Sequence, residues 1–274
     1  MRFALLSRFA FATFLLASPL LASAAAKCER LIATGASNNP PYLWRDPQNP
    51  ERLIGANADL LTRAAEAMGL QLEVLHSGDA QAALEEVRTG RIDILADAVL
   101  VADRLDELDF IHPPILQLQT LVWAPRNRTF GYRSREDLSG LRGMVLAGRS
   151  LGSQFDAFAA ERLQLRPVQG LTRALQELVT GDADYLLHER FSVLSRAEPL
   201  GLMDDIEPLE PPVLSRSMHF AVSHDSACNS AWLRGQLALK MTEFRAAGLP
   251  RQLIEENLAR WTAQQLQPAG TANE

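Results

Sequence analysis

Gly90–Pro114 reads GRIDILADAVLVADRLDELDFIHPP. Gly90 stops the helix before it, and Ile92–Leu95, apolar except for Asp93, has the character of a buried strand. A loop then carries Asp97 and Arg104, and a second apolar piece reaches Pro113-Pro114. An open α/β sheet binds its ligands beyond the carboxyl ends of its strands. An Arg in the loop after such a strand therefore points to a small anionic or zwitterionic ligand, held in a cleft between two lobes.

Upstream, Arg30–Thr34 (RLIAT) is a short apolar strand, and Gly35–Tyr42 (GASNNPPY) is a loop by its Gly, Asn and Pro content. Arg45–Arg52 (RDPQNPER) has the polarity of a hairpin tip. Leu60, Leu61, Ala64, Ala65 and Met68 recur at helical spacing, which predicts a helix over Ala58–Met68 stopped by Gly69. Leu70–Leu75 alternates like a strand, and Gly78-Asp79 opens a helix through Val87. Downstream, strands are predicted at Leu116–Ala124, Met144–Ala147, Leu165–Val168, Tyr185–Leu187 and Met218–Ser223. Helices are predicted at Ser153–Leu163, Thr172–Val179, Ser226–Ala247 and Arg251–Trp261. This alternation predicts right-handed βαβ units on a parallel sheet.

One segment occurs twice. Ala83–Leu95, ALEEVRTGRIDIL, matches Ala174–Leu186, ALQELVTGDADYL, with Ala, Leu, Glu, Thr, Gly, Asp and Leu in register. Each copy is a helix, a Thr-Gly stop and a strand with one Asp near its start. The separation is too long for a solenoid, so two lobes of one plan are expected. The loops after the copies begin near Asp97 and His188-Glu189, and these would line one cleft if the lobes face each other.

Composition fixes the class. The chain has 274 residues, 47% hydrophobic and 22% charged, ordinary globular values. Arg2 and Arg8 precede an apolar run, Phe9–Leu21, and the small residues of Ala22–Ala26. This is the pattern of a secretory signal cleaved near Ala24 or Ala26, too short to anchor the chain in a bilayer. Its removal takes away two Arg and no acid, moving the formal charge from −6 to −8. An acidic surface without a basic run argues against nucleic acid and anionic membranes as partners. In an oxidising compartment Cys28 and Cys228 are expected to be bridged, two unpaired thiols being the alternative. No metal site is expected, because the five His show no i, i+4 pair and no Cys-x-x-Cys occurs. No cofactor motif is present either.

Read in order, Asn39-Pro40-Pro41-Tyr42, Gly55–Leu60 (GANADL), Gly90-Arg91-Ile92-Asp93, Val101-Ala102-Asp103-Arg104 and Phe110–Pro114 (FIHPP) resemble the motifs of the extracytoplasmic solute-binding proteins of the polar amino-acid type. Asp137–Gly143 (DLSGLRG) fits the second lobe of that family. The resemblance implies the α/β, two-lobed periplasmic-binding-protein fold (type II), each lobe a mostly parallel sheet flanked by helices and closing on ligand by hinge motion. The organisation expected is a signal over 1–26, a discontinuous first lobe over 27–124 and 216–262, a second lobe over 125–215, and a loose tail over 263–274. A periplasmic monomer is implied, passing a polar, amino-acid-like ligand to an inner-membrane ABC permease or a sensor. By position, Arg104 would grip the ligand carboxylate, a task a guanidinium fork suits. Arg149 and Ser150 would complete an anion cradle at a helix start, and Glu189 would take the ammonium. Departures are Asn39 where an aromatic residue usually stacks, and Asp97, Val99 and Val101 where Ser and Thr usually stand. Trp44 is the candidate to replace the missing stacker.

Two enzymes compete. Gly148–Gly152 (GRSLG) satisfies the G-x-S-x-G elbow of serine esterases between a predicted strand and helix, with Asp182 or Asp184 and then His188, His219 or His224 following. The Gly248–Gln252 (GLPRQ) pattern and Trp261 also resemble periplasmic cyclohexadienyl dehydratases, which act on prephenate or arogenate and need a pocket acid; Glu189 or Asp97 would serve.

Overall fold

The computed structural model describes residues 28–267; the expected signal, 1–26, and the last part of the expected tail, 268–274, lie outside the described residues. The first half begins with β1 (Arg30–Thr34), followed by a small antiparallel sheet of β2 (Asn38–Asn39), β3 (Leu43–Arg45) and β4 (Leu53–Ile54). Residues 46–52 form the tip of the β3–β4 hairpin, closed by Asp46 N–H donating to the Arg52 carbonyl. Helix α1 (Ala56–Ala67) leads to β5 (Gln71–Val74), and α2 (Ala80–Arg88) to β6 (Ile94–Val99). Asp79 caps α2 as expected, accepting from the Gln81 and Ala82 amides. β6 starts and ends later than the sequence suggested, so Asp97 and Val99 belong to the strand and not to the loop after it. Arg104 sits in a single 3₁₀ turn, Ala102–Arg104.

The chain then forms β7 (Leu108–Phe110) and crosses over on β8 (Leu116–Pro125). The second half comprises β9 (Arg142–Leu146), α3 (Ser153–Arg162), β10 (Gln164–Val168), α4 (Leu171–Thr180), β11 (Tyr185–Glu189) and α5 (Arg190–Ala197). The return crossover, β12 (Ile206–Ser223), is 18 residues long, where the sequence suggested only its last six. Its first part is rich in Pro and Glu, which hid it. Helices α6 (Ala231–Ala246) and α7 (Leu249–Leu266) end the described chain. α6 is capped by Ser230 and begins at Ala231, five residues later than the Ser226 start expected. α7 continues through Leu266, so residues 263–266 are helix and not tail.

One sheet carries both halves, in the order β10-β9-β11-β8-β12-β6-β1-β5, with β7 added against β12. Within each half three strands are parallel, with the first strand flanked by the second and third: β5-β1-β6 and β10-β9-β11. β8 and β12 lie between the halves and pair antiparallel with each other, with β11 and with β6. The fold is therefore the two-lobed α/β one. The β8–β12 register shifts between Leu209 and Leu214, around Pro211-Pro212, which have no N–H to give the ladder.

The sequence echo is a structural repeat. β6 and β11 are the third strand of their halves. Asp93 accepts from the Ile32 amide at 2.8 Å, and Asp184 accepts from the Arg142 amide at 2.8 Å. Each Asp thus ties the start of its strand to the first strand of the same half. Thr89 and Thr180 both return a hydroxyl bond to the carbonyl four residues earlier. Apolar clusters lie on both faces of each half. Leu31, Leu60, Ile94 and Phe220 belong to one under α1, α6 and α7, and Val87 and Leu108 to another beside α2. Trp123, Leu175 and Leu186 pack under α4 and α5, and Tyr185, Leu187 and Phe155 under α3.

Cys28 and Cys228 are bonded, across a sequence separation of 200. Closing so long a loop stabilises chiefly by restricting the unfolded chain, typically by about 2–4 kcal/mol. Cys28→Ser combined with Cys228→Ser is expected to lower unfolding free energy by about that amount in urea melts of the oxidised protein; unchanged stability would show that the bridge adds nothing.

Candidate functional site

A cavity of about 170 Å³ lies where the two halves meet. Asn39, Tyr42 and Val99 wall it from the first half, and Leu118, Thr120, Leu214 and Arg216 from the crossovers. Arg149, Ser150, Leu151, His188, Glu189 and Ser192 wall it from the second. The carboxyl ends of β6 and β11 thus face one space, as an α/β sheet requires of a ligand site.

Asn39, Val99, Arg149, Ser150 and Glu189, five of the sequence candidates, reach this wall. Asp97 stands behind it. Its carboxylate accepts from the Ala36 amide at 3.1 Å and from the Asn39 side chain. A Cβ on Gly35 would come within 2.6 Å of the Asp97 Oδ1 atom, so only glycine lets the carboxylate in so close. Burial is the largest influence on Asp97 and pushes its carboxyl up, opposed by these bonds and by the Arg104 charge. Arg104 is half-buried on its turn and makes no side-chain hydrogen bond or ion pair among the described residues, with either Asp103 or Asp106. It is near enough to act on Asp97 electrostatically but does not wall the cavity.

Trp44 is not at the site. It is 2% exposed, edge-on to Trp261, and donates through Nε1 to Gln264. The sequence reading ended the last helix too early, and the extra turn is what covers this ring.

Glu189 has a different employment from the one expected. It caps α5, its two oxygens accepting from the Phe191 and Ser192 amides and the Ser192 hydroxyl. The Tyr42 hydroxyl, from the other half, also donates to it at 2.9 Å. Burial raises its carboxyl above the usual range despite these donors. Tyr42 is raised well above its own, chiefly by burial and then by the Glu189 charge. Tyr42 also meets Phe191 edge-on, and α7 reaches α5 through Trp261 Nε1 donating to the Ser195 carbonyl at 2.8 Å. The halves are therefore in direct contact beside the cavity.

Ser150 donates to Asp156 at 2.5 Å and accepts from the Gly152 amide. No His ring hydrogen-bonds to it among the described residues. A serine nucleophile needs an imidazole in that place, so the elbow pattern is a helix-start turn here. Sequence reasoning put the loop at His188 beside the cleft without giving the ring a binding role, and it gave Tyr42 and Arg216 none. The repeat held the signal for one of them: with Leu95 matched to Leu186, His188 is the counterpart of Asp97.

With this geometry in place, the sequence profile of the bacterial extracellular solute-binding proteins, family 3, matches residues 31–250. The chain belongs to that family. Among solved structures, a histidine kinase sensor domain similar to periplasmic binding proteins superimposes with a TM-score of 0.62 at 21% identity, over 86% of this chain and 96% of that one. The substrate-binding protein of an amino-acid ABC transporter from Streptococcus pneumoniae, bound to L-arginine, gives 0.62 at 16% identity, over 85% and 96%. A reconstructed ancestral amino-acid-binding protein, described as a precursor of cyclohexadienyl dehydratase, gives 0.60 at 17%, over 84% and 96%. At these identities the likeness is one of fold. No curated protein sequence matches the chain.

For this family-3 protein the buried Asp97 makes a pH-dependent cost. Its folded-state value is raised, so its contribution to stability is complete below the unfolded value and is lost as pH rises through the folded one. Asp97→Asn removes that loss. The variant is expected to melt higher than the parent at pH 7 and to converge with it below pH about 4, as thermal melts across pH would record; a gap independent of pH would contradict the assignment.

Proposed function

We propose that this protein is a periplasmic solute-binding protein that captures a small polar, amino-acid-like ligand for an inner-membrane ABC permease or a sensor, acting as a monomer. The observation that carries this reading is the cavity of about 170 Å³ walled by both halves and by the strands that join them. Such a cavity forms and opens as the halves move, which couples occupancy to shape. The lobes would be residues 27–124 with 216–262, and 125–215, hinged where the β8–β12 ladder is interrupted. Among the described residues no helix is long and apolar enough to cross a membrane. The ligand site would comprise Asn39, Val99, Arg149, Ser150 and Glu189, with Asp97 and Arg104 at its first-half edge. Arg104 does not wall the cavity but has no ion pair of its own, and it would take a ligand carboxylate as the halves move.

A thermal-shift screen of a polar metabolite library tests this. A family of related solutes is expected to raise the melting temperature, since a ligand at 100 times its Kd stabilises the folded state by about 2.7 kcal/mol. Arg104→Ala is expected to abolish the shift while the variant still unfolds cooperatively, its unliganded melt lowered at most slightly by loss of the charge facing Asp97; a full shift in the variant would remove Arg104 from the site.

A dehydratase reading is favoured by one observation, the raised carboxyl of Glu189 in the cavity wall. Against it, four donors already converge on that carboxylate, which favours the form with no proton to give. Incubation with prephenate and arogenate is expected to yield no turnover; aromatic product formation that Glu189→Gln abolishes would reverse the assignment.

A further inference from the structure

A second cavity, of about 540 Å³, adjoins the first on the side of the second half. The two share Asn39, Arg149, His188 and Ser192 in their walls. The far wall is the start of α4, Gly170–Thr172, with Arg173 and Arg196. α4 begins at a glycine with φ 82° that offers no side-chain cap, so the first amides of a ten-residue helix lack a side-chain acceptor. Those amides carry the positive end of the helix dipole.

The charges agree in sign. Arg149 and Arg196 make no ion pair among the described residues. Arg173 is held by Glu177 at 2.6 Å, yet Glu177 does not wall the cavity. Among the described residues lining it there is no Asp or Glu. In a chain whose formal charge is −6, this is a local reversal. In the smaller cavity the one carboxylate, Glu189, is already met by four donors. Asp97, behind it, is met by Ala36 and Asn39. Neither is free to take an ammonium.

His188 supplies an independent sign. It is 7% exposed and lies in the walls of both cavities, and neither ring nitrogen has a hydrogen-bond partner among the described residues. Its nitrogens are not among the fully enclosed unpartnered atoms, so the ring opens on the cavities it walls and is left to bond whatever enters. Burial and then the Arg149 charge push its pKa down to about 3, so at neutral pH it offers one donor and one acceptor.

We propose that the second cavity is a subsite for an anionic group of the captured solute, a carboxylate or a phosphoryl group, with Arg149 and Arg196 as its cations and His188 as the hydrogen-bonding group between the two cavities. The protein thereby selects acidic solutes over neutral and basic amino acids. This inference rests on the solute-binding reading above and names the class of ligand.

Titration calorimetry with glutarate, L-glutamate and O-phospho-L-serine, against L-glutamine and L-arginine, tests it. At least one acid is expected to bind well above both amino acids of the other classes, glutarate and glutamate reporting the carboxylate form and phosphoserine the phosphoryl form. Arg196→Gln and Arg149→Gln are each expected to weaken that acid roughly tenfold or more. Arg149 is exposed, so its variant folds even if the Arg196 variant does not. Preferred binding of glutamine or arginine overturns the inference and leaves the solute-binding reading standing. Acid binding that neither variant weakens does the same. Failure of the acids while the wider library yields a binder also overturns the inference alone, whereas a library without any binder overturns both.

Discussion

Two antiparallel strands set the geometry of this molecule. β8 and β12 pair with one another over most of their length and stand between two parallel half-sheets. Each half orders its strands alike, so the third strand, β6 or β11, is the one adjoining the crossovers. The carboxyl ends of those strands then open on the same space. A site assembled this way needs no element of its own. It follows from building one plan twice and joining the copies by their inner edges.

The site is electrostatically settled on its acidic side and unsettled on its basic side. Asp97 and Glu189 are enclosed by donors, and burial still raises both carboxyls. Several arginines among the described residues are answered by a neighbouring acid, as Arg91 is by Glu86 and Arg142 by Asp184. Arg104, Arg149 and Arg196 are not among the described residues so answered. Guanidinium groups without an acid of their own near the meeting of the halves are available to an anionic solute there. The bond from Tyr42 to Glu189 and the contact of α7 with α5 hold the halves together beside it. These contacts mix hydrogen bonds with the Tyr42–Phe191 ring contact, as interfaces between domains that move often do.

Much of this was legible beforehand. The echo between Ala83–Leu95 and Ala174–Leu186 foretold two similar halves, because Thr, Gly and Asp there answer local demands of helix termination and strand attachment. The Arg149-Ser150 turn and the strand-end position of Glu189 were readable for the same reason. Trp44 was misplaced, since its burial depends on a helix more than two hundred residues away. The early half of β12 was missed because Pro and Glu in a crossover strand carry no apolar alternation.

The sequence by itself determined the order of helices and strands, the doubling of the plan, the family and five of the residues that wall the first cavity, since these rest on local propensity and spacing. Only the tertiary structure decided which charges are spent. Whether Glu189 meets a ligand or a helix start, whether Arg104 is paired with Asp103 or left alone, and whether His188 finds a partner depend on distances between segments far apart in the chain, which hydrophobic periodicity does not encode.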